Sequence, residues 1–153
     1  MRGRYGMPAL LLLSLILGCG RSFTTPARHT SANGPHGGFA VPLPNQLGYA
    51  EVVIEVGTAP RGKEPDSQVV VYFLQPDLKT ALAPLPSNAS VKLLFPDKEP
   101  ATVSLSPQPN PEDPAGTGRF ASSPGPYLVD EPIGELTATV SGSPFRGSFT
   151  STR

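Results

Sequence analysis

The stretch Val69-Val70-Val71-Tyr72-Phe73-Leu74 decides the fold class of this chain. All six residues are β-branched, aromatic or aliphatic, the types that favour strands, and the segment is apolar on both faces. A strand of this kind fits a place inside a sheet where both of its faces are covered. The sequence therefore predicts a central strand at 69–74 and a domain built around it.

Shorter strand patterns repeat on both sides of this segment. In residues 51–56, Val52, Ile54 and Val56 point to one face, while Glu51 and Glu55 point to the other. Further strands are predicted at 90–95, 101–105, 118–121, 135–141 and 145–150, with short candidates at 39–43 and 80–85. The 20 prolines and 16 glycines lie between these segments and form no single tract. This placement is typical of strands joined by turns.

The repeated strands and the lack of a helical stripe predict an all-β fold, a single small antiparallel β-sandwich over residues 38–153. The chain has no Trp and no pair of Cys, which excludes an antibody-type domain and leaves an immunoglobulin-like topology open. A small, partly open barrel is the alternative. Proline-rich loops are predicted at 106–117 and 122–132. The predicted core consists of Val52, Ile54, Val69, Val71, Phe73, Val91, Leu93, Val103, Phe120, Leu136, Ala138 and Val140.

The first residues have the pattern of an export signal. Arg2 and Arg4 are followed by an apolar run over 9–17 and then by Gly18 and Cys19. The run is about half of the ~20 residues that a membrane-spanning helix needs. We therefore expect residues 1–18 to be a signal peptide.

The sequence Leu15-Ile16-Leu17-Gly18-Cys19 resembles the lipobox of bacterial lipoproteins. Gly18 and Cys19 match that pattern, whereas Leu17 stands where a small residue is more usual. The resemblance implies that the Cys19 thiol carries a diacylglycerol, that the chain is cut before it, and that the new amine is acylated, for example with palmitate. It places the protein in the cell envelope, lipid-anchored to the outer membrane or at the periplasmic face. An ordinary secretory signal with an incidental Cys is the alternative.

Cys19 is the only Cys in the sequence. Lipidation of Cys19 would leave no thiol for disulfides, for metal binding or for catalysis. Residues 19–37 are rich in Ser, Thr, Gly, Asn and Pro and lack hydrophobic periodicity. They are predicted to be a flexible linker that holds the domain clear of the lipid headgroups.

Charge and motif content argue against several functions. The chain has 12 basic and 12 acidic residues with no basic stripe, so nucleic-acid binding is not expected. No GxSxG motif is present, and both His lie outside the predicted strands. Glu51 and Glu55 are interpreted as a solvated outer face of their strand. The sequence therefore predicts that the protein is not an enzyme and has no cofactor.

His36-Gly37-Gly38 stands where the linker meets the domain. The two glycines are interpreted as a hinge and His36 as a solvated residue, with His36 also the one candidate metal ligand. The only other His is His29, and zinc sites need three or four protein ligands. No metal site is therefore predicted. The acidic residues Asp66, Asp77, Asp97, Asp113 and Asp130 are assigned to turns, without the spacing of a calcium loop.

A second, looser resemblance covers residues 35–149. It is to a small immunoglobulin-like β-domain of planctomycete-type lipoproteins, a domain also found beside adaptor subunits of heavy-metal efflux pumps. The segments that carry it are Pro35-His36-Gly37-Gly38, residues 51–55, residues 70–74, Gly118-Arg119-Phe120-Ala121 and residues 134–140. We expect a non-catalytic binding or structural module that meets an envelope protein or polymer through its loops or a sheet edge. The alternative is an accessory protein of metal efflux.

Overall fold

The computed structural model describes residues 32–150 with the exception of 60, 112, 114 and 115. The predicted signal peptide, Cys19, His29 and most of the predicted linker therefore lie outside the described residues. The described chain forms nine strands and a short 3-10 turn at Pro44–Gln46. The strands are β1 (Ala32–Asn33), β2 (Phe39–Pro42), β3 (Tyr49–Val56), β4 (Ser67–Leu74), β5 (Ala89–Leu94), β6 (Ala101–Pro107), β7 (Arg119–Ala121), β8 (Ile133–Val140) and β9 (Ser143–Thr150).

The strands are hydrogen-bonded into one sheet in the order β1-β2-β3-β4-β7-β6-β5-β8-β9, and every pair is antiparallel. The strands fall into two groups, β1-β2-β3-β4-β7 and β6-β5-β8-β9. The two groups are joined where the end of β6 pairs with β7. The all-β prediction is confirmed. The immunoglobulin-like sandwich is a finer assignment and stays a prediction.

The segment that decides the fold lies inside the sheet, as predicted. Strand β4 pairs with β3 along its whole length on one side and with β7 on the other. Val69, Val71 and Phe73 face the main core, while Val70 and Tyr72 contribute to a second, smaller apolar cluster on the opposite face. Both faces of β4 are therefore covered, which explains why residues 69–74 are apolar except for the hydroxyl of Tyr72.

The main core collects side chains from both groups of strands. Eleven of the twelve predicted core residues belong to it. The exception is Ile54, which is only partly buried, and the next inward residue, Val56, is 53% exposed. Strand β3 continues past the edge of the core. Its apolar residues therefore keep alternating up to Val56, although the last of them are no longer buried. The core also includes Val41, Leu43, Ala50, Leu82, Ala89, Leu105 and Phe149, which the predicted list does not contain.

The short candidate at 80–85 is not a strand. Its only ladder contact is an isolated bridge between Ala81 and Leu74. Pro84 has no N–H to donate to a neighbouring strand, which limits pairing in this segment. The loop prediction at 106–117 also needs correction at its start, because β6 extends to Pro107 through its pairing with Phe120.

The two ends of the strand order come close together at the core. The ring of Phe39 in β2 stacks against that of Phe149 in β9, with centroids 5.8 Å apart. Gly147 faces Val41 so closely that a Cβ on Gly147 would overlap the Val41 side chain. Contact between β2 and β9 therefore closes the core on this side and fixes where the N-terminal strands enter the domain.

Candidate functional site

A row of ionisable side chains crosses the face of the sheet opposite the main core. Glu51 of β3 is paired with Tyr72 of β4, and Tyr72 is paired with Arg119 of β7. Residues directly opposite each other on antiparallel strands bring their side chains into contact. We call these three residues, together with His36, Glu55 and Asp113, the outer polar cluster.

Glu51 is the most buried member of the cluster, with 0% of its side chain exposed. Its Oε1 accepts hydrogen bonds from the backbone N–H of His36 at 2.8 Å and of Gly38 at 2.9 Å. Its Oε2 lies 2.7 Å from Nδ1 of His36. All three contacts come from N–H groups or a ring nitrogen of one short segment. A carboxylate suits this environment because it only accepts hydrogen bonds.

That segment is the turn of the β1–β2 hairpin. Gly37 N–H donates to Gly34 O at 3.0 Å, and Gly34 N–H donates to Gly38 O at 2.9 Å. Gly37 has φ = 80°, a conformation that glycine adopts without strain. Pro35 follows Gly34, so the turn has Pro at its second position and Gly at its fourth, as type I turns favour. The loop wraps the Glu51 carboxylate so tightly that a Cβ on Gly34 would overlap it.

The hinge interpretation of His36-Gly37-Gly38 is therefore wrong. The last residues of the predicted linker form β1 and a tight turn, and Gly38 is buried. The side chain of His36 is 35% exposed, yet its ring is bonded to Glu51 and stacked on Tyr72. The ring centroids are 3.7 Å apart and the planes are inclined by 8°. The sequence signal for this turn was Gly34-Pro35-His36-Gly37, which has the residue preferences just described.

Tyr72 connects the two ends of the cluster. Its hydroxyl donates to Oε1 of Glu55 at 3.2 Å, while its ring stacks against the imidazole of His36. Burial raises the pKa of the Tyr72 phenol, the hydrogen bond with Arg119 opposes this rise, and the negative charges of Glu55 and Asp113 add to it. The net effect raises the pKa, so the phenol keeps its proton and stays a donor.

Arg119 fixes the other end of the cluster. Its side chain is 6% exposed, and its two terminal nitrogens donate to Oε2 of Glu55 and to the carbonyl of Gln108, both at 2.9 Å. Burial lowers the pKa of Arg119, but the hydrogen bonds with Tyr72 and Glu55 outweigh it and leave that pKa raised. Nε of Arg119 lies 4.0 Å from Oδ2 of Asp113, and within the described residues neither atom has a hydrogen-bond partner.

The interpretation of Glu51 and Glu55 as a solvated pair is wrong for Glu51. The two residues do share a face of β3, as predicted, but Glu51 is fully buried and Glu55 is 38% exposed. Both carboxylates are bonded to cluster partners. The error arose because the alternation on one strand only assigns a residue to a face of the sheet. Whether that face is buried depends on other segments that pack against it. Tyr72 and Arg119 were not singled out, although each is a polar residue in an apolar strand.

The arrangement limits what the cluster can do chemically. Among the residues that the structure describes, no three His, Cys, Asp or Glu side chains are grouped so that they could hold a metal ion. With Nδ1 of His36 facing Glu51, only Nε2 of that ring is left for a ligand. The cluster joins the hairpin, three strands and the loop before β7. Its contacts are those of a structural network.

A second feature lies at the end of the domain where several loops meet. An open groove of about 880 Å3 is formed by the loop after β3, the loop after β5 and the loop before β8. Asp66, Asp97 and Asp130, which the sequence assigned to separate turns, all line it. Leu128 also lines the groove and is 53% exposed. The remaining lining residues are Glu64, Pro65, Pro96, Lys98, Pro126, Val129 and Glu131.

Comparison with known proteins gives no relative for this chain. No protein-family model, no curated protein and no solved structure matches it significantly. Within residues 32–150, apart from the four that are not described, no helix has the length and apolar character needed to cross a membrane.

Proposed function

We propose that this protein is an exported lipoprotein, held at the cell envelope by acylated Cys19, whose β-domain is a non-catalytic binding or structural module. The anchor rests on the order of basic residues, apolar run, Gly18 and Cys19 in the sequence. Two or three acyl chains on one residue hold a protein firmly on a membrane, whereas a single chain does not.

The observation that supports the module is the way the fold uses its ionisable groups. Glu51 is bonded to the hairpin, and Glu55 is bonded to Tyr72 and Arg119. Both carboxylates are therefore engaged in contacts that hold segments of the fold together. The open groove between the loops after β3 and β5 and before β8 is lined by the exposed side chain of Leu128 and by acidic side chains. Loops on a rigid β-scaffold are where binding surfaces usually lie.

The anchor is tested by metabolic labelling with a fatty acid that carries an alkyne, followed by membrane fractionation. The wild-type protein should incorporate the label and sediment with membranes, and Cys19→Ser should lose both properties. A matched control restores a thiol at the wrong place, Cys19→Ser with Ser22→Cys, and should stay unlabelled. Membrane retention of Cys19→Ser, or labelling of the control, would contradict the proposed anchor.

One observation supports the alternative, an accessory role in metal handling. Metal-binding histidines almost always donate their second ring N–H to a carboxylate or a carbonyl, and Nδ1 of His36 has such a partner in Glu51. The described residues supply no further ligands beside it. The alternative therefore requires ligands from a second molecule, and a metal affinity that is lost in His36→Ala would favour it.

A further inference from the structure

Residues 32 to 38 form a small unit that we call the clasp. It consists of β1 and the turn that follows, and it precedes the first residue of the main core, Val41. None of residues 34–38 belongs to either apolar cluster. Residues 34–38 are therefore attached to the domain by polar and stacking contacts, whereas the core is held together by apolar packing.

The attachment has few contacts, and they centre on one carboxylate. Strand β1 contributes two residue pairs with β2, Ala32 with Ala40 and Asn33 with Phe39. The turn contributes the three contacts to Glu51 and the stack of His36 on Tyr72. Hydrogen bonds to a charged acceptor are stronger than those to a neutral one. The charge on Glu51 is thus the largest polar contribution to closure of the clasp.

We propose that the clasp is an acid-sensitive latch, which opens as a separate unit when Glu51 becomes protonated, while the core of the domain stays folded. A neutral carboxylic acid is a weaker acceptor than a carboxylate for the backbone N–H groups of His36 and Gly38. Local opening of a segment with little apolar burial costs less free energy than global unfolding.

The charges around the latch determine how it responds to pH. His36 faces Glu51 from the turn, Tyr72 faces both from β4, and Glu55 lies on the same strand as Glu51. Arg119 from β7 and Asp113 from the preceding loop complete the surroundings. These groups surround the carboxylate, and among them Glu51 alone accepts from both backbone N–H groups of the turn.

Opening changes the reach of the domain if, as proposed above, the chain is anchored through Cys19. The seven residues of the clasp then join the segment that connects Cys19 to the core. At about 3.4 Å per extended residue they add up to roughly 24 Å. An acidic environment would thereby let the domain move further from the membrane.

The latch is tested by hydrogen exchange with mass spectrometry on the full chain, from about pH 8 to about pH 3, with correction for the intrinsic rate. The amides of the clasp should lose protection at the acid end while β4 keeps its protection. Glu51→Gln should expose the clasp at neutral pH, with exchange faster by roughly tenfold or more, which corresponds to about 1.4 kcal/mol. Glu135→Gln, whose carboxylate faces Arg146 outside the outer polar cluster, is the control and should leave the clasp protected.

Two results would overturn the latch. One is a clasp that stays protected in Glu51→Gln, and the other is loss of clasp and β4 protection at the same pH and to the same extent. Because Glu51→Gln removes a buried charge and could destabilise the whole domain, His36→Ala provides a second measurement. It should expose the clasp and leave β4 protected. These readouts do not depend on lipid, so the latch can fail while the proposed anchor stands, and the reverse.

Discussion

The imidazole of His36 lies flat on the phenol ring of Tyr72, with ring centroids 3.7 Å apart. One residue belongs to the turn at the start of the domain and the other to the central strand β4. Their contact covers Tyr72 on the outer face of the sheet, where it is 4% exposed. It links the first described segment of the chain to the strand on which the fold is built.

Two substitutions distinguish the contribution of the Tyr72 ring to stability from that of its hydroxyl. Tyr72→Phe keeps the stack and loses the hydrogen bond to Glu55, so its free energy of unfolding should fall by about 0.5–1.5 kcal/mol. Tyr72→Ala removes a buried ring and should cost about 3–5 kcal/mol. Urea denaturation followed by circular dichroism measures both. Tyr49→Phe serves as the control, and equal losses in Tyr72→Phe and Tyr72→Ala would show that the stack contributes nothing.

Arg119→Lys should destabilise the domain although it keeps the positive charge. A lysine ammonium cannot reproduce the planar guanidinium that bonds Glu55 on one side and the Gln108 carbonyl on the other. The expected loss is about 1–3 kcal/mol in chemical denaturation. Arg146→Lys is the matched control, because Arg146 is 67% exposed and its pair with Glu135 lies on the surface. Its effect should stay within about 0.5 kcal/mol, and a similar loss in both variants would contradict the role of Arg119.

Asp77 should titrate well below an ordinary aspartate. Its carboxylate accepts hydrogen bonds from the Thr80 hydroxyl and from the backbone N–H groups of Thr80 and Lys79, which lower its pKa from 3.8 to about 2. The folded-state pKa is lowered, so the stabilisation is complete above the unfolded value and is lost as pH falls through about 2. Carbonyl NMR titration measures the shift. Thr80→Ala should bring the Asp77 pKa closer to 3.8, and an unchanged pKa in that variant would refute the assignment.

Val71→Asp should unfold the domain. Val71 is fully buried in the middle of β4, and an unpaired charge at such a site costs about 4–5 kcal/mol or more. Val56→Asp makes the same chemical change at the exposed end of β3 and should leave the fold intact. Far-UV circular dichroism distinguishes the two results. A folded Val71→Asp variant with β-type spectrum would contradict the core described above.

We expect no tight, stoichiometric binding of zinc or copper at neutral pH. The sequence has two His and one Cys, and the structure directs Nδ1 of His36 at Glu51. Calorimetric titration of the full chain with each metal tests this expectation. A single saturable site of sub-micromolar affinity that disappears in His36→Ala would favour the metal-handling alternative over the binding module.

The sequence by itself determined the all-β class, the positions of most strands and most of the main core. Sequence patterns located the seven strands β3 to β9, most of them through period-two alternation, because side chains on a strand alternate between faces regardless of what covers them. The apolar run of β4 identified the strand that is covered on both sides. Residues such as Phe149 and Leu82 were missed as core members because their burial depends on distant segments that pack against them.

Only the tertiary structure decided which polar residues meet. Glu51 and Tyr72 are 21 positions apart and become neighbours through the register of β3 against β4. Whether Glu51 is solvated depends on where the β1–β2 turn lies, and the turn lies there because its own N–H groups need an acceptor. A strand pattern shows which face of the sheet a side chain is on. Whether that face is buried depends on long-range contacts, so the outer polar cluster could be identified only from the tertiary structure.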